Sequence, residues 1–157
     1  MGTSPPTEAE ADRIVASYKV ISEPVEWVYS RSRSWMEFRV SVENEGGWLL
    51  TLVGKARLAP PHKRSFSLIL HHGTNGYRIF SMDVNGNHRN PGKDSNSWNY
   101  QTHKQRWTDE HGDAFAFTPV ELIPEEPNEA FMEFCRECKI SFTGSIGDIP
   151  AGGDDGY

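Results

Sequence analysis

Met36-Glu37-Phe38-Arg39-Val40-Ser41-Val42 places an apolar residue at every second position and a polar one between. That is the two-residue period of a strand with one face buried. The pattern repeats outward. Trp48, Leu50, Leu52, Ala56 and Leu58 alternate in the same way, with Gly54 marking a bulge or a close approach. Pro60 and Pro61 end that run. Phe66, Leu68 and Leu70 form a third strand and Tyr77 to Val84 a fourth. Asn44-Glu45-Gly46-Gly47 and Gly73-Thr74-Asn75-Gly76 are turns, the second carrying the Asn-Gly pair favoured in hairpins. Thr102 to Thr108 and Asp113 to Thr118 form a further hairpin through Asp109-Glu110-His111-Gly112. In it His103, Gln105 and Trp107 share one face and Lys104 and Arg106 the other.

Helical periodicity is confined to the two ends. Thr7-Glu8-Ala9-Glu10 fits a capping box, and Ala11, Ile14, Val15 and Tyr18 share a face of a helix that ends before Pro24. Phe131, Phe134, Cys135 and Cys138 line a second helix from about Glu126 to Lys139, with Pro127 in its first turn. The expected fold is α+β: an antiparallel sheet of about five to six strands, a meander plus a hairpin, packed by an N-terminal and a C-terminal helix. Residues 7–143 read as a single domain, with 1–6 and 144–157 as flexible tails. Asn85 to Tyr100 reads as a long polar loop, and loops of that length are often functional.

The chain has 157 residues and a formal net charge of -6. No apolar run approaches the roughly 20 residues that span a bilayer, and Met1 to Pro6 lack the features of a signal peptide. A cytoplasmic protein without membrane association is the expectation. Cys135 and Cys138 are the only cysteines. Three residues apart on a helix they suit neither an easy disulfide nor, alone, a zinc site, so they read as buried or half-buried thiols. No cofactor or metal is expected.

The net charge conceals a split. Between Arg31 and Arg106 twelve Lys and Arg face five acids, and the rest of the chain is strongly acidic. All 6 histidines fall between His62 and His111. The split admits two explanations. Either the centre presents a basic surface to a polyanion, or basic strands and acidic helices neutralise each other in the fold.

The chemistry-bearing residues concentrate in His88-Arg89-Asn90-Pro91, His103-Lys104-Gln105-Arg106-Trp107 and Gly112-Asp113-Ala114-Phe115-Ala116. This segment resembles an uncharacterised family of small bacterial and phage proteins. The family's pattern is His-Arg-Asn-Pro-Asp-Gly, then His-x-His-x-Tyr, an acidic turn and Gly-Asp-x-Trp-Ala. His88 to Pro91 match it, and Lys93 stands near the Asp-Gly position without reproducing it. His103 matches the first histidine, Gln105 replaces the second, and Trp107 takes the aromatic place. Gly112-Asp113 match, and Phe115-Ala116 stand for Trp-Ala. The resemblance implies a fold and no established activity.

The residues themselves suggest handling of phosphate. His88 and His103 are candidate acid–base groups, and Asp113 could orient one of them. Arg89, Asn90, Lys104, Gln105, Arg106 and Trp107 are candidate ligand contacts, with bidentate bonding to phosphate open to Arg89. Trp98, Tyr100 and Trp107 could stack on bases. A metal-independent ribonuclease of a toxin or defence system would need little more, and RelE-like toxin nucleases share the architecture, an analogy of fold alone. RNA or DNA is then the expected partner. The alternative is a non-catalytic inhibitor, antitoxin or anti-defence factor that offers its acidic surface to a basic protein. A purely structural role for His-Arg-Asn-Pro is equally open, since Asn90 can bond backbone and Pro91 fixes φ.

Overall fold

The computed structural model describes residues 4–91 and 97–149. Helix α1 (Glu8–Ala16) is followed by β1 (Lys19–Ile21), β2 (Val28–Tyr29), β3 (Trp35–Asn44), β4 (Leu50–Arg57) and β5 (Arg64–His72). Next come β6 (Asn75–Arg89), β7 (Ser97–Thr108), β8 (Gly112–Phe117), α2 (Pro127–Glu137) and β9 (Ile140–Phe142). The fold is α+β, and its strands lie in the order β8-β7-β6-β5-β4-β3-β1-β9, with β2 also on β3. Every pairing is antiparallel except β1 with β9.

Among the described residues the sheet has nine strands instead of five or six. The six long ones, β3 to β8, are those that alternation marks. The three additions are two or three residues long, too short to show a period, and exist because a neighbour supplies the ladder. The expected loop from Asn85 to Tyr100 is also largely strand. β6 runs on to Arg89 and β7 begins at Ser97. Register shifts between Asp83 and Gly86, and between Gly86 and His88, break the alternation there. Bulges of this kind re-aim side chains, which is why the period disappears from the sequence. The β5–β6 turn is Gly73-Thr74, not Asn75-Gly76, because His72 already pairs with Asn75. Gly73 has φ +60°, as the first central residue of a type II′ turn requires.

Both helices cover one face of the sheet. The register aligns Phe38, Gly54, Phe66, Met82, Lys104 and Phe117 across that face from β3 to β8. Phe131 and Phe134 of α2 meet this row, Phe131 edge-on to Phe38 with centroids 5.4 Å apart and Phe134 near Phe66 at 6.0 Å. Each fully buried phenylalanine contributes on the order of 2–3 kcal/mol. Gly54 has a steric reason: a Cβ there would lie 2.2 Å from the Phe38 ring. Ala11 and Ile14 of α1 are buried as expected, but Tyr18 lies beyond the helix and is 63 % exposed.

The helix ends are capped by named groups. The Thr7 hydroxyl accepts from the Glu10 N–H, and the Glu126 carboxylate accepts from the N–H groups of Asn128 and Glu129. Lys19 is fully buried and donates to the carbonyls of Val15, Ser17 and Cys138, so one ammonium serves the C-terminal ends of both helices. Burial pulls its pKa down to about 8. Burial likewise pushes the Cys135 thiol up to about 12 and raises Cys138, so both are inert packing groups.

The segments expected as tails are attached where they are described. The Pro6 carbonyl accepts from Trp107 Nε1, and Ile146 bridges to Val25 and packs on the core. Residues 1–3 and 150–157 lie outside the described residues. Among the described residues no helix is long and apolar enough to cross a membrane.

Candidate functional site

Among the described residues no helix lies on the other face of the sheet, and its cross-strand rows are mostly polar. Glu37, Lys55, Ser65, Asp83 and His103 align from β3 to β7. The next row holds Arg39, Val53, Ser67, Ser81 and Gln105. A groove of about 620 Å³ lies over these rows. Ser30, Ser32 and Trp35 form one wall, and Gly86, Asn87, His88, Asp113 and Ala114 the other. Lys55, Lys63, Arg64 and Arg78 bring four cations to the lining, against the carboxylates of Glu37, Asp83 and Asp113.

Two of the candidate histidines meet. The His88 and His103 rings stack with centroids 5.6 Å apart, and Trp98 packs against both. His103 is 1 % exposed. Its Nδ1 lies 3.1 Å from the Gln101 carbonyl, which can only accept, so Nδ1 carries a hydrogen. Its Nε2 faces Asp83 Oδ2 at 3.4 Å, within ion-pair reach but without a formed hydrogen bond. Gly86 allows this closeness, since a Cβ there would stand 3.2 Å from His103 Cε1. His88 is the more accessible ring and lines the groove. Its Nε2 donates to the Ala114 carbonyl at 2.7 Å, which leaves Nδ1 as the atom able to take up a proton.

Asp113 does not orient either histidine. It pairs with Arg78 at 3.4 Å on the rim, and the carboxylate beside His103 is Asp83. Asp83 was legible as a lone acid inside the apolar run Ile79 to Val84, but its partner depends on the β6–β7 register. Arg78 and Trp35 are likewise groove residues that the motif segments do not contain.

Several expected ligand contacts are engaged elsewhere. Lys104 and Arg106 lie on the helix-covered face because their register partners are Met82 and Phe80. Lys104 is 2 % exposed and pairs with Glu121 at 2.9 Å and Glu137 at 3.3 Å. Arg106 pairs with Glu8 and Asp12 of α1. The bond from Lys104 holds the Glu121 carboxyl below the usual carboxylate range. For Glu8 the Asp109 backbone N–H, then Arg106, does the same. Arg89 is exposed and is absent from the groove lining, because the residue after His88 on a strand faces the other way. Trp107 donates to Pro6 and packs edge-on to Tyr77. Trp98 is buried against the two histidines, donates to Thr118 and is absent from the groove lining. The Tyr100 side chain and Lys93 lie outside the described residues.

Asn90 is a backbone clamp. Its amide donates to the Ala116 carbonyl at 2.9 Å and accepts from the Ala116 N–H at 2.7 Å, tying the end of β6 to the edge strand β8. Gln105 does reach the groove, 5 % exposed, and donates to the Asp113 carbonyl. Of the sequence-derived set, the groove therefore gathers His88, Asp113 and Gln105, with His103 buried behind them.

Metal-ligating side chains come together in one place among the described residues, at Glu121, Glu133 and Glu137. Lys104 and Arg136 already neutralise that cluster from the helix-covered side. The groove thus offers cations, the Nδ1 of His88 as a proton acceptor and a polar floor. Comparison with curated proteins found no match, and neither did comparison with solved structures. A family model described as a family of unknown function, DUF6978, matches residues 7–140, and the chain belongs to that family.

Proposed function

We propose that the open-face groove binds a phosphate-bearing ligand, a nucleotide or a nucleic acid. The floor carries this reading. Arg78 Nε, Ser81 Oγ and His103 Nε2 are buried without a hydrogen-bond partner among the described residues. Their register rows place Ser81 and His103 on the open face, and Arg78 lines the groove. Leaving such groups unbonded costs about 1–3 kcal/mol each, and of the three Arg78 is the one that lines the groove, so an oxygen-rich anion would remove the cost there. Lys55 supplies charge, and Arg78 offsets Asp113, one of the three carboxylates, while its Nε stays unbonded. Trp35 is the aromatic surface on the wall, in the stacking role expected of Trp98, Tyr100 and Trp107.

The arrangement is first a binding site. His88 Nδ1 can take a proton from a ligand hydroxyl, as the base of a metal-independent ribonuclease does. His103 does not supply the matching acid, because its ring is 1 % exposed. The two-histidine mechanism therefore reduces to His88 as a base, and cleavage would need the Lys55 ammonium, also in the lining, to give the leaving oxygen its proton. Glu8, Asp12, Glu121, Glu133 and Glu137 are engaged by Arg106, Lys104 and Arg136 within the chain.

Calorimetric titration with inorganic phosphate and with a mononucleotide tests the reading, alongside an RNA cleavage assay. Binding that weakens about tenfold or more in Arg78→Ala supports it, that being the scale of one charged hydrogen bond. Absence of binding, or affinity unchanged in Arg78→Ala and in Lys55→Ala, rejects it. Cleavage abolished in His88→Ala with binding retained would add catalysis.

A further inference from the structure

We propose that the ligand is a single-stranded nucleic acid that spans two anion positions, the second formed by Arg39 and His71. The proposal rests on the phosphate reading and extends it. A second cavity of about 470 Å³ adjoins the groove on the same face, and the two share Arg78 and Asp113 as a common wall. Arg39, His71, Ile69 and Gly76 line the second cavity.

Its polar groups are held in place. Thr51 Oγ1 accepts from Arg39 Nη1 at 3.4 Å and lies 2.8 Å from His71 Nε2, so one hydroxyl anchors both side chains. Ile69 gives an apolar patch beside them, partly exposed, on which a base can rest. Gly76 keeps the patch open, because a Cβ there would stand 3.2 Å from Ile69 and 3.5 Å from His71.

The separation selects a polymer. Lys55, in the first cavity, pairs with Ser65, and His71, in the second, lies six residues further along β5. At the rise of a strand that is about 20 Å. One phosphate cannot touch both Lys55 and His71, whereas the repeating phosphates of a strand can. Arg78 stands between, paired with Asp113 and with Nε buried and unbonded. The open sheet is also a surface on which unpaired bases can lie, which a duplex would not offer.

The test uses the full-length protein, a mononucleotide, and RNA and DNA hexanucleotides of one sequence, read by fluorescence anisotropy across a salt series. Running RNA and DNA side by side identifies which of the two fills the groove. The hexanucleotide is expected to bind at least about tenfold tighter than the mononucleotide, since engagement of the second position becomes intramolecular. Arg39→Ala, an exposed position, should remove about tenfold of hexanucleotide affinity and leave the mononucleotide unchanged. It should also flatten the slope of log K against log salt by about 0.7 for each phosphate that the variant no longer neutralises. Equal affinity for the two ligands, or an Arg39→Ala variant indistinguishable from wild type, overturns the second position and leaves the phosphate groove standing. Failure of both ligands to bind overturns the two proposals together.

Discussion

Asn90→Ala separates a structural from a functional use of the His-Arg-Asn-Pro turn. Asn90 is 5 % exposed and Ala116 2 %, so water cannot replace the lost amide. Truncation strips partners from two buried backbone groups, the Ala116 N–H and its C=O. At about 1–3 kcal/mol for each group the cost is about 2–6 kcal/mol. A domain of this size has roughly 5–15 kcal/mol in total, so the variant should be severely weakened. At about 2–4 °C per kcal/mol, its Tm should fall by on the order of 10 °C. Urea unfolding followed by circular dichroism measures the first quantity, and thermal melting the second. Hydrogen exchange supplies a local readout, because the Ala116 amide should lose protection before the centre of β5 does. Asn90→Asp sharpens the test. It keeps the acceptor for the Ala116 N–H but sets a carboxylate against the Ala116 carbonyl. That variant should be weak at neutral pH and recover in acid, where protonation restores a donor. A loss below about 0.5 kcal/mol, the scale of an ordinary surface change, would refute the clamp. So would intact stability combined with loss of phosphate binding.

Gly54→Ala should cost about 1–3 kcal/mol by overpacking against the Phe38 ring, and Phe38→Leu in the same chain should return part of it. Strictly additive effects in urea melts would show that the two do not collide. Lys104→Met should cost toward the lower end of about 3–5 kcal/mol, because Glu121 and Glu137 are each about a third exposed. The Glu121 carboxyl, held low by Lys104, gives stability that is present above the ordinary carboxylate pKa and lost as pH falls through the depressed value. In Lys104→Met that acid-induced loss should shrink between about pH 5 and pH 2 in urea melts, and an unchanged profile would refute the pairing.

Local physics was enough for the fold's main elements. Alternation is a property of neighbouring residues, so β3 to β8 are visible wherever a strand is long and one of its faces is buried. The two helices show through their caps and apolar stripes. The short strands β1, β2 and β9 carry no such signal, because a neighbour's ladder creates them. The stretch after Asp83 misled for the opposite reason. Bulges at Gly86 interrupt the period, so a strand passes for a polar loop.

The site was legible only as a neighbourhood. Alternation alone puts His103 and Gln105 on one face of β7 and Lys104 and Arg106 on the other. Composition alone puts bases in the centre of the chain and acids at its ends. Neither says which face the helices cover, and long-range packing settles that. Once α1 and α2 pack on the row holding Phe66 and Met82, acids of that side meet Lys104 and Arg106, and two of the twelve central bases are neutralised inside the fold. The opposite row is left open, with His88, Asp83, Arg78 and Lys55 around one groove. Strand pairing between residues far apart in the chain makes that choice, and no local period encodes it.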